Sequence, residues 1–281
     1  MYKLILISLL FSFSTQAQDV WQDYIIGKPM PGFAESRQQV AQEWGIKYQA
    51  IFAGCVVDES IAQKMETYNK ENEIYFEKIT TRYGEGWQQV FNLEAAIART
   101  QTKNVLEGRW IDVITEEQPD TDYYAKKGKL ANQWGIDYLP LYINETSTVS
   151  ATMQAKIDSG ATYVRHLGTV LGNQWQAYFD MQLAQSTRTN ENVMQGTWDE
   201  YLLEKVDESY YQRKKQVLAN WGVAYEPHFV HCCKGKNKKM KNGGYAEKSA
   251  AFEAQMKKVY GDNWKQYLHI AIQKELKTII K

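Results

Sequence analysis

The nine tryptophans of this 281-residue chain constrain its fold more than any other feature. Within each of three sets the steps are 23 and 43, then 24 and 41, then 23 and 43 residues. From one set to the next, the same tryptophan recurs after 87 to 90 residues. This spacing predicts three degenerate tandem modules of about 88 residues each. The sets are Trp21, Trp44, Trp87; Trp110, Trp134, Trp175; and Trp198, Trp221, Trp264.

The residues around the tryptophans repeat as well. The second tryptophan of each set opens WGIKYQAIF, WGIDYLPLY or WGVAYEPHF, and the third lies in YGEGWQQVF, LGNQWQAYF or YGDNWKQYL. A position needed in every copy usually fills the same space in every copy, so core anchors are predicted. A stacking platform for sugars is the alternative. The anchors in these two motifs are Trp44, Trp134, Trp221, Trp87, Trp175 and Trp264.

Each module is predicted as helix, strand, helix, helix. Apolar residues at helical spacing precede each WG pair, and the glycine suits the left-handed end of a helix. The apolar run that follows predicts a buried strand, and two further helices meet at a G-x-x-W corner. The fold class is therefore helix-rich α/β, or α+β. One strand per module leaves open whether the three strands pair with one another in one shared sheet, with further strands of their own modules or with another chain. The pattern also leaves room for short extra structure around each first tryptophan.

The N-terminus predicts export from the cytoplasm. One lysine, an apolar run from Leu4 to Phe13 and small residues ending at Ala17 are typical of a cleaved signal peptide over residues 1–17. The run is too short to span a bilayer, so we expect no transmembrane segment in the mature chain. A periplasmic or secreted protein is predicted, with modules over 18–106, 107–194 and 195–281.

The third module alone carries a cluster of soft metal ligands, in the segment HFVHCC. Alignment on WG places His231, Cys232 and Cys233 opposite Gly54, Cys55 and Val56 of the first module and 144–146 of the second. If the copies share a scaffold, function is expected where they differ. In an extended strand, His231 and Cys233 share a face about 6.6 Å apart, within reach of one metal ion. His228 and Cys232 lie on the other face, and join the site only if the chain bends.

Three accounts of these residues remain open, the simplest being that they are unlinked structural residues. Imidazole and thiolate together suit copper or zinc. Alternatively, an exported chain with three cysteines forms one disulfide, for which Cys55, Cys232 and Cys233 are the candidates. A thiol-dependent enzyme using Cys233 and His231 is a weaker hypothesis, since no orienting residue or oxyanion hole is marked.

Charge also separates the modules. The net charge is −3 for residues 18–106, −4 for 107–194 and +6 for 195–281, while the whole chain is neutral. That neutrality argues against nucleic acid as a partner. The basic charge concentrates in one segment, for which a solvated loop is the simplest interpretation. The functional alternative is a contact for an anionic partner, such as an acidic glycan or an acidic face of an envelope protein. The lysines of this segment are Lys234, Lys236, Lys238, Lys239 and Lys241.

The sequence favours a non-enzymatic binding or scaffold protein of a bacterial envelope. The predicted signal peptide, the repeated tryptophans and the lack of a recognisable catalytic motif all point there. A metal-handling protein centred on His231 and Cys233 is the alternative.

Overall fold

The computed structural model describes residues 20–54, 58–103, 106–143, 149–188, 196–202, 206–229 and 245–276. The chain is rich in helix with short strands, which confirms the mixed α/β class. Three stretches are distinguished below as the first segment (20–103), the second segment (106–188) and the third segment (196–276). The first contains β1 (Trp21–Ile26), α1 (Phe33–Trp44), β2 (Tyr48–Gly54), α2 (Glu59–Tyr83) and α3 (Trp87–Lys103).

The other two segments follow the same order of strand, helix, strand, helix and helix. The second contains β3 (Trp110–Ile114), α4 (Thr121–Gln133), β4 (Tyr138–Tyr142), α5 (Ala151–Leu171) and α6 (Trp175–Arg188). The third contains β5 (Trp198–Leu202), α7 (Glu208–Asn220), β6 (Tyr225–Phe229), α8 (Tyr245–Tyr260) and α9 (Trp264–Glu275).

The predicted order of helix, strand, helix, helix was wrong by one element, because a strand begins at the first tryptophan of each set. β1 pairs with β2, β3 with β4 and β5 with β6, each pair parallel. The intervening helices α1, α4 and α7 provide the crossover that parallel strands need. Among the described residues the strands form three separate two-stranded sheets, so the six strands do not share one sheet.

The helices before the WG pairs end where the sequence predicts. Gly45, Gly135 and Gly222 all have positive φ angles, 66°, 73° and 72°. In the first segment the Gly45 amide donates back to the helix, as expected for a left-handed cap. Helix starts are capped by acidic side chains, such as Asp58 and Asp120, which accept from backbone amides.

The strands after the WG pairs are less buried than predicted. No residue of β4 is fully buried, and Tyr142 at its end is 45% exposed. The reason is the size of the sheets. A two-stranded sheet packed on one side leaves its other face and its outer edges to solvent, whereas continuous apolar strands belong to sheets covered on both faces.

All nine tryptophans are buried. In the first segment the Trp21 ring meets Trp87 edge to face, with centroids 5.8 Å apart, and Trp110 meets Trp175 in the same way at 5.5 Å. Trp198 and Trp264 make the third such pair, at 5.8 Å. The buried apolar side chains form one continuous cluster with members from every segment. Edge-to-face contacts of this kind add to the stability that burial gives.

The three segments close on one another in a ring. The long fourth element of each segment packs on the last helix of another: α5 on α3, α8 on α6, and α2 on α9. Polar contacts accompany two of these junctions. Gln174 donates to the Gln89 side chain (2.8 Å), and Gln266 donates to the Glu85 carbonyl (2.9 Å). The first and third segments are therefore in direct contact although they are far apart in sequence.

Candidate functional site

Most of the residues predicted to bind metal, form a disulfide or contact an anionic partner lie outside the described residues. They are Cys55, His231, Cys232, Cys233 and the lysines Lys234, Lys236, Lys238, Lys239 and Lys241. The predicted signal peptide, 1–17, also lies outside them.

His228 is described, and it is held on the surface by two neighbours. It lies in β6 opposite Tyr201 of β5, and the two rings stack with centroids 4.6 Å apart. Its Nε2 is 2.7 Å from Oδ1 of Asp199. With a proton on Nε2 donated to the carboxylate, the lone pair of the neutral ring lies on Nδ1. A histidine oriented by a carboxylate through one nitrogen is a common arrangement for metal ligands.

A carboxylate, a cation and a tyrosine meet beside the first tryptophan of each segment. In the first segment, Asp23 accepts from the Tyr48 hydroxyl (2.7 Å) and pairs with Arg37 (2.9 Å). The Arg37 guanidinium lies 4.8 Å from the centre of the Trp21 ring, a cation–π contact. The counterparts are Asp112, Lys127 and Tyr138 beside Trp110, and Glu200, Lys214 and Tyr225 beside Trp198.

These clusters are suited to holding strands rather than to acid–base chemistry. Burial, and then the hydrogen bond to the carboxylate, raises the pKa of the Tyr48, Tyr138 and Tyr225 hydroxyls. Burial also lowers the pKa of the Lys214 ammonium, and Glu200 opposes that shift. The tyrosines therefore remain neutral donors at ordinary pH. Because the cluster occurs in every segment, it is part of the common framework.

The segments differ in the residue that faces the indole N–H of the second tryptophan as a hydrogen-bond acceptor. The Trp44 indole donates to Glu94 Oε2 (2.7 Å), and the Trp134 indole donates to Gln182 Oε1 (3.1 Å). Glu94 and Gln182 each lie seven residues after the third tryptophan of their set. The residue at that position in the third segment is Ala271, which has no acceptor.

Glu94 also joins all three segments. Its Oε1 accepts from the Tyr178 hydroxyl of the second segment (2.7 Å). Lys274 of the third segment reaches both carboxylate oxygens, at 3.2 and 2.9 Å. Burial and the Glu94 carboxylate raise the pKa of Tyr178 well above its ordinary value. One partly buried carboxylate is thus satisfied by donors from every segment, which fixes the segments relative to one another.

Two clefts flank this junction. One, of about 490 Å³, lies on the side of Trp134, with Gln101 and Gln133 on its wall. The other, of about 230 Å³, lies on the side of Trp221 and Ala271. Glu94, Tyr178, Gln182 and Lys274 line both. Clefts at the interface between separate parts of a protein are a usual location for bound ligands.

The sequence analysis did not identify this junction. The predicted functional residues lie after the WG strands, whereas Glu94, Gln182 and Ala271 lie after the third tryptophans. The signal was nevertheless present: Glu94, Gln182 and Ala271 share one position and differ in the group they offer. The difference becomes informative only when the structure shows that the last helices of the three segments, α3, α6 and α9, meet.

Within the described ranges, no three histidine, cysteine or acidic side chains lie close enough together to hold a metal ion. A search of the same residues for a helix able to cross a membrane also finds none. Comparison with protein-family models, curated proteins and solved structures found no match to this chain.

Proposed function

We propose that this chain is a non-enzymatic binding or scaffold protein of a bacterial envelope, exported by a signal peptide over residues 1–17. In this proposal the mature chain consists of three degenerate copies of one module, over 18–106, 107–194 and 195–281. The tryptophan spacing supports the repeat, together with the order of strands and helices that recurs in each segment. The same carboxylate, cation and tyrosine cluster beside each first tryptophan also supports it.

The observation that carries this proposal is the closed arrangement of three segments around Glu94. Its carboxylate oxygens are engaged by Trp44, Tyr178 and Lys274, so the charge is committed to holding the segments. A general base or nucleophile instead needs a free lone pair at a place a substrate can reach. Fixed segments that expose different surfaces suit a scaffold.

An anionic glycan of the envelope is the proposed partner, and an acidic envelope protein is the alternative. The segment with Lys234, Lys236, Lys238, Lys239 and Lys241 supplies most of the excess positive charge of the third module. Charge of this density accelerates encounter with an anionic surface and makes binding depend on salt.

The test begins with protein recovered from the envelope fraction of expressing bacteria. Intact mass should show a chain that begins at Gln18. The purified protein is then titrated with lipopolysaccharide micelles, alongside a variant in which the five lysines are alanine. A control variant replaces the exposed lysines Lys248, Lys257, Lys258 and Lys265.

Binding that is lost in the five-lysine variant, retained in the control and weakened by salt supports the proposal. Recovery in the cytoplasm with residues 1–17 intact contradicts it. So does turnover of an envelope polymer that disappears on Cys233→Ala or His231→Ala, since that result would establish an enzyme.

A second candidate function is the handling of copper or zinc, and the His228–Asp199 contact favours it. The contact uses Nε2 of His228, one residue before the end of β6, and the chain continues from there to His231, Cys232 and Cys233. Elemental analysis of untagged protein prepared without chelators tests this. About one equivalent of metal, lost on His231→Ala but not on His166→Ala, supports it, and loss on His228→Ala as well would place His228 in the site. Absence of metal even after added zinc or copper leaves HFVHCC as a structural or disulfide corner.

A further inference from the structure

The cleft of about 230 Å³ beside Trp221 lies where the third segment has alanine and the other two have long polar side chains. Glu94 and Gln182 extend toward the indole of their own second tryptophan, and Ala271 stops short of it. Ala271 and Trp221 both line the cleft. The missing atoms are those of a carboxyl or carboxamide group and its methylenes.

Two polar groups on this cleft lack the partners that their counterparts have. Among the described residues, no hydrogen-bond acceptor is found for the Trp221 indole N–H, whereas Trp44 and Trp134 are both paired. Tyr267 corresponds to Tyr178, each three residues after a third tryptophan. Tyr178 donates to Glu94, but the buried Tyr267 hydroxyl makes no hydrogen bond of normal geometry in the described part of the chain, although the Asn263 side chain is near enough to oppose the rise in its pKa that burial causes. Tyr267 is only 4% exposed, so leaving its hydroxyl unpaired is costly.

The charges around the cleft favour a neutral ligand over an anion. Lys274 is the cation on its wall, and Glu94 already engages it through both oxygens. Glu275 adds a second carboxylate to the lining, with Arg213 3.9 Å away. An incoming carboxylate would meet two negative groups and no uncommitted cation, and desolvating it there is unfavourable.

We propose that this cleft binds a small neutral molecule with a carboxamide group. Its carbonyl oxygen accepts from the Trp221 indole, as Gln182 does from Trp134, and its amide nitrogen donates to the Glu275 carboxylate on the cleft wall. Its hydrocarbon part lies against Val217 and Ile270, which line the same cleft. The volume is below the roughly 300–1,000 Å³ of pockets for drug-sized ligands, so the ligand is correspondingly small. The residues that line the cleft do not include the lysine segment, and the proposal does not depend on the envelope role.

Butyramide is the probe, because it carries the carboxamide that position 271 lacks on a short hydrocarbon chain. The nine tryptophans give separate indole signals in a nitrogen–proton correlation spectrum, and Trp221→Phe assigns the relevant one by its loss. Titration of the full mature chain should move the Trp221 signal downfield and saturate with a dissociation constant on the order of millimolar, within the limit for six non-hydrogen atoms. Butyrate should need a concentration at least about tenfold higher, since a tenfold difference is a modest discrimination for a charge.

Ala271→Gln is the blocking variant, and it should place its own amide where the probe binds. Its Trp221 signal should already be shifted without butyramide, its melting temperature should rise, and added butyramide should have no effect. Ala271→Leu fills the same space without an acceptor, so it should abolish the probe's effect while leaving the signal in place. A Trp221 signal unmoved by about 100 mM butyramide, a hundred times the expected constant, overturns the proposal. An equal response in Ala271→Gln, or a stronger response to butyrate, also overturns it.

Discussion

The third segment has the same framework as the first two, but it differs from them around its second tryptophan, where the three segments meet. All three bury three tryptophans and place a carboxylate, a cation and a tyrosine beside the first of them. In the first two segments the central indole N–H meets a side chain seven residues after the last tryptophan. In the third segment the corresponding residue is Ala271, and a cleft is found there. The comparison therefore distinguishes the residues needed to fold a segment from the residues that can vary where the three segments meet.

The backbone carbonyl of the second tryptophan accepts a hydrogen bond in every segment, but the donor residue differs between segments. The Tyr83 hydroxyl donates to the Trp44 carbonyl, and the Tyr260 hydroxyl donates to the Trp221 carbonyl. In the second segment the corresponding residue is Leu171, which has no hydroxyl. Thr100 of the first segment lies 2.6 Å from the Trp134 carbonyl instead. In the second segment, a threonine of the neighbouring first segment thus supplies the donor to the tryptophan carbonyl. In the third segment, no described side chain supplies the Trp221 indole with the acceptor that Ala271 lacks.

The largest expected effect comes from removing the shared framework. Replacement of Trp44, Trp134 or Trp221 by alanine should lower the free energy of unfolding by about 3–5 kcal/mol, because each leaves a large cavity in the core. Urea denaturation of the three variants measures this. Similar losses in all three are expected. A variant with unchanged stability would mean that its segment does not depend on this anchor, and the comparison between segments would fail at its first step.

The next effect is the removal of Glu94. Glu94→Ala leaves Lys274, the Trp44 indole and the Tyr178 hydroxyl without their partner, and should cost about 3 kcal/mol, as breaking a buried ion pair does. Gln182→Ala removes one neutral hydrogen bond and should cost about 1 kcal/mol.

Glu43→Ala is the matched control for this pair. Glu43 is an exposed glutamate beside the wider cleft, and its removal should change stability by less than about 0.5 kcal/mol. Equal losses for Glu43→Ala and Glu94→Ala would show that the junction does not hold the segments together.

The central indoles can be compared directly by replacing them with phenylalanine. Trp44→Phe removes the ring N–H that Glu94 accepts, whereas Trp221→Phe removes an N–H without a recorded acceptor in the described residues. Both variants lose a similar ring volume, so the difference between them reports the hydrogen bond. Trp44→Phe should be less stable by about 2 kcal/mol than Trp221→Phe, the usual scale for a hydrogen bond to a charged group. Equal losses would mean that the Trp221 indole has an acceptor after all, and the cleft proposal would lose its main support.

The elements flanking each second tryptophan were predictable from the sequence. The helix before WG, its glycine end and the strand after it all follow from local periodicity and backbone preference. The strands at the first tryptophans were missed because each is only five or six residues long and carries an acidic residue at its centre, such as Asp23 or Asp112. That acidic residue is acceptable only because Arg37 or Lys127, from the following helix, neutralises it.

The central junction could not be predicted, because its members come from distant parts of the chain. Glu94 and Lys274 are 180 residues apart, and neither belongs to a local motif. Sequence alone shows that Glu94, Gln182 and Ala271 occupy one position of the repeat pattern. It does not show that the three last helices bring this position to a common centre, since that depends on how the segments close into a ring.

The smallest expected effect concerns the carbonyl ends of the tryptophans. Tyr83→Phe and Tyr260→Phe should each cost about 1 kcal/mol, because each leaves a buried carbonyl without its donor. Thr100→Val should cost a similar amount if Thr100 replaces the missing hydroxyl at position 171. The Thr100 hydroxyl has a single proton, which is shared between the Trp134 and Ile97 carbonyls. The loss of stability should therefore be no larger than for the two tyrosine variants.

Thr102→Val, on the same helix, is the control for Thr100→Val. The Thr102 hydroxyl bonds only to carbonyls of its own helix, Ala98 and Arg99, so its loss should be nearly neutral. If Thr100→Val were as neutral as Thr102→Val while Tyr260→Phe cost about 1 kcal/mol, the second segment would have lost this contact without replacement. The second and third segments would then be alike, each lacking one of the two hydrogen bonds that the first segment makes at its central tryptophan, and Ala271 would no longer set the third segment apart.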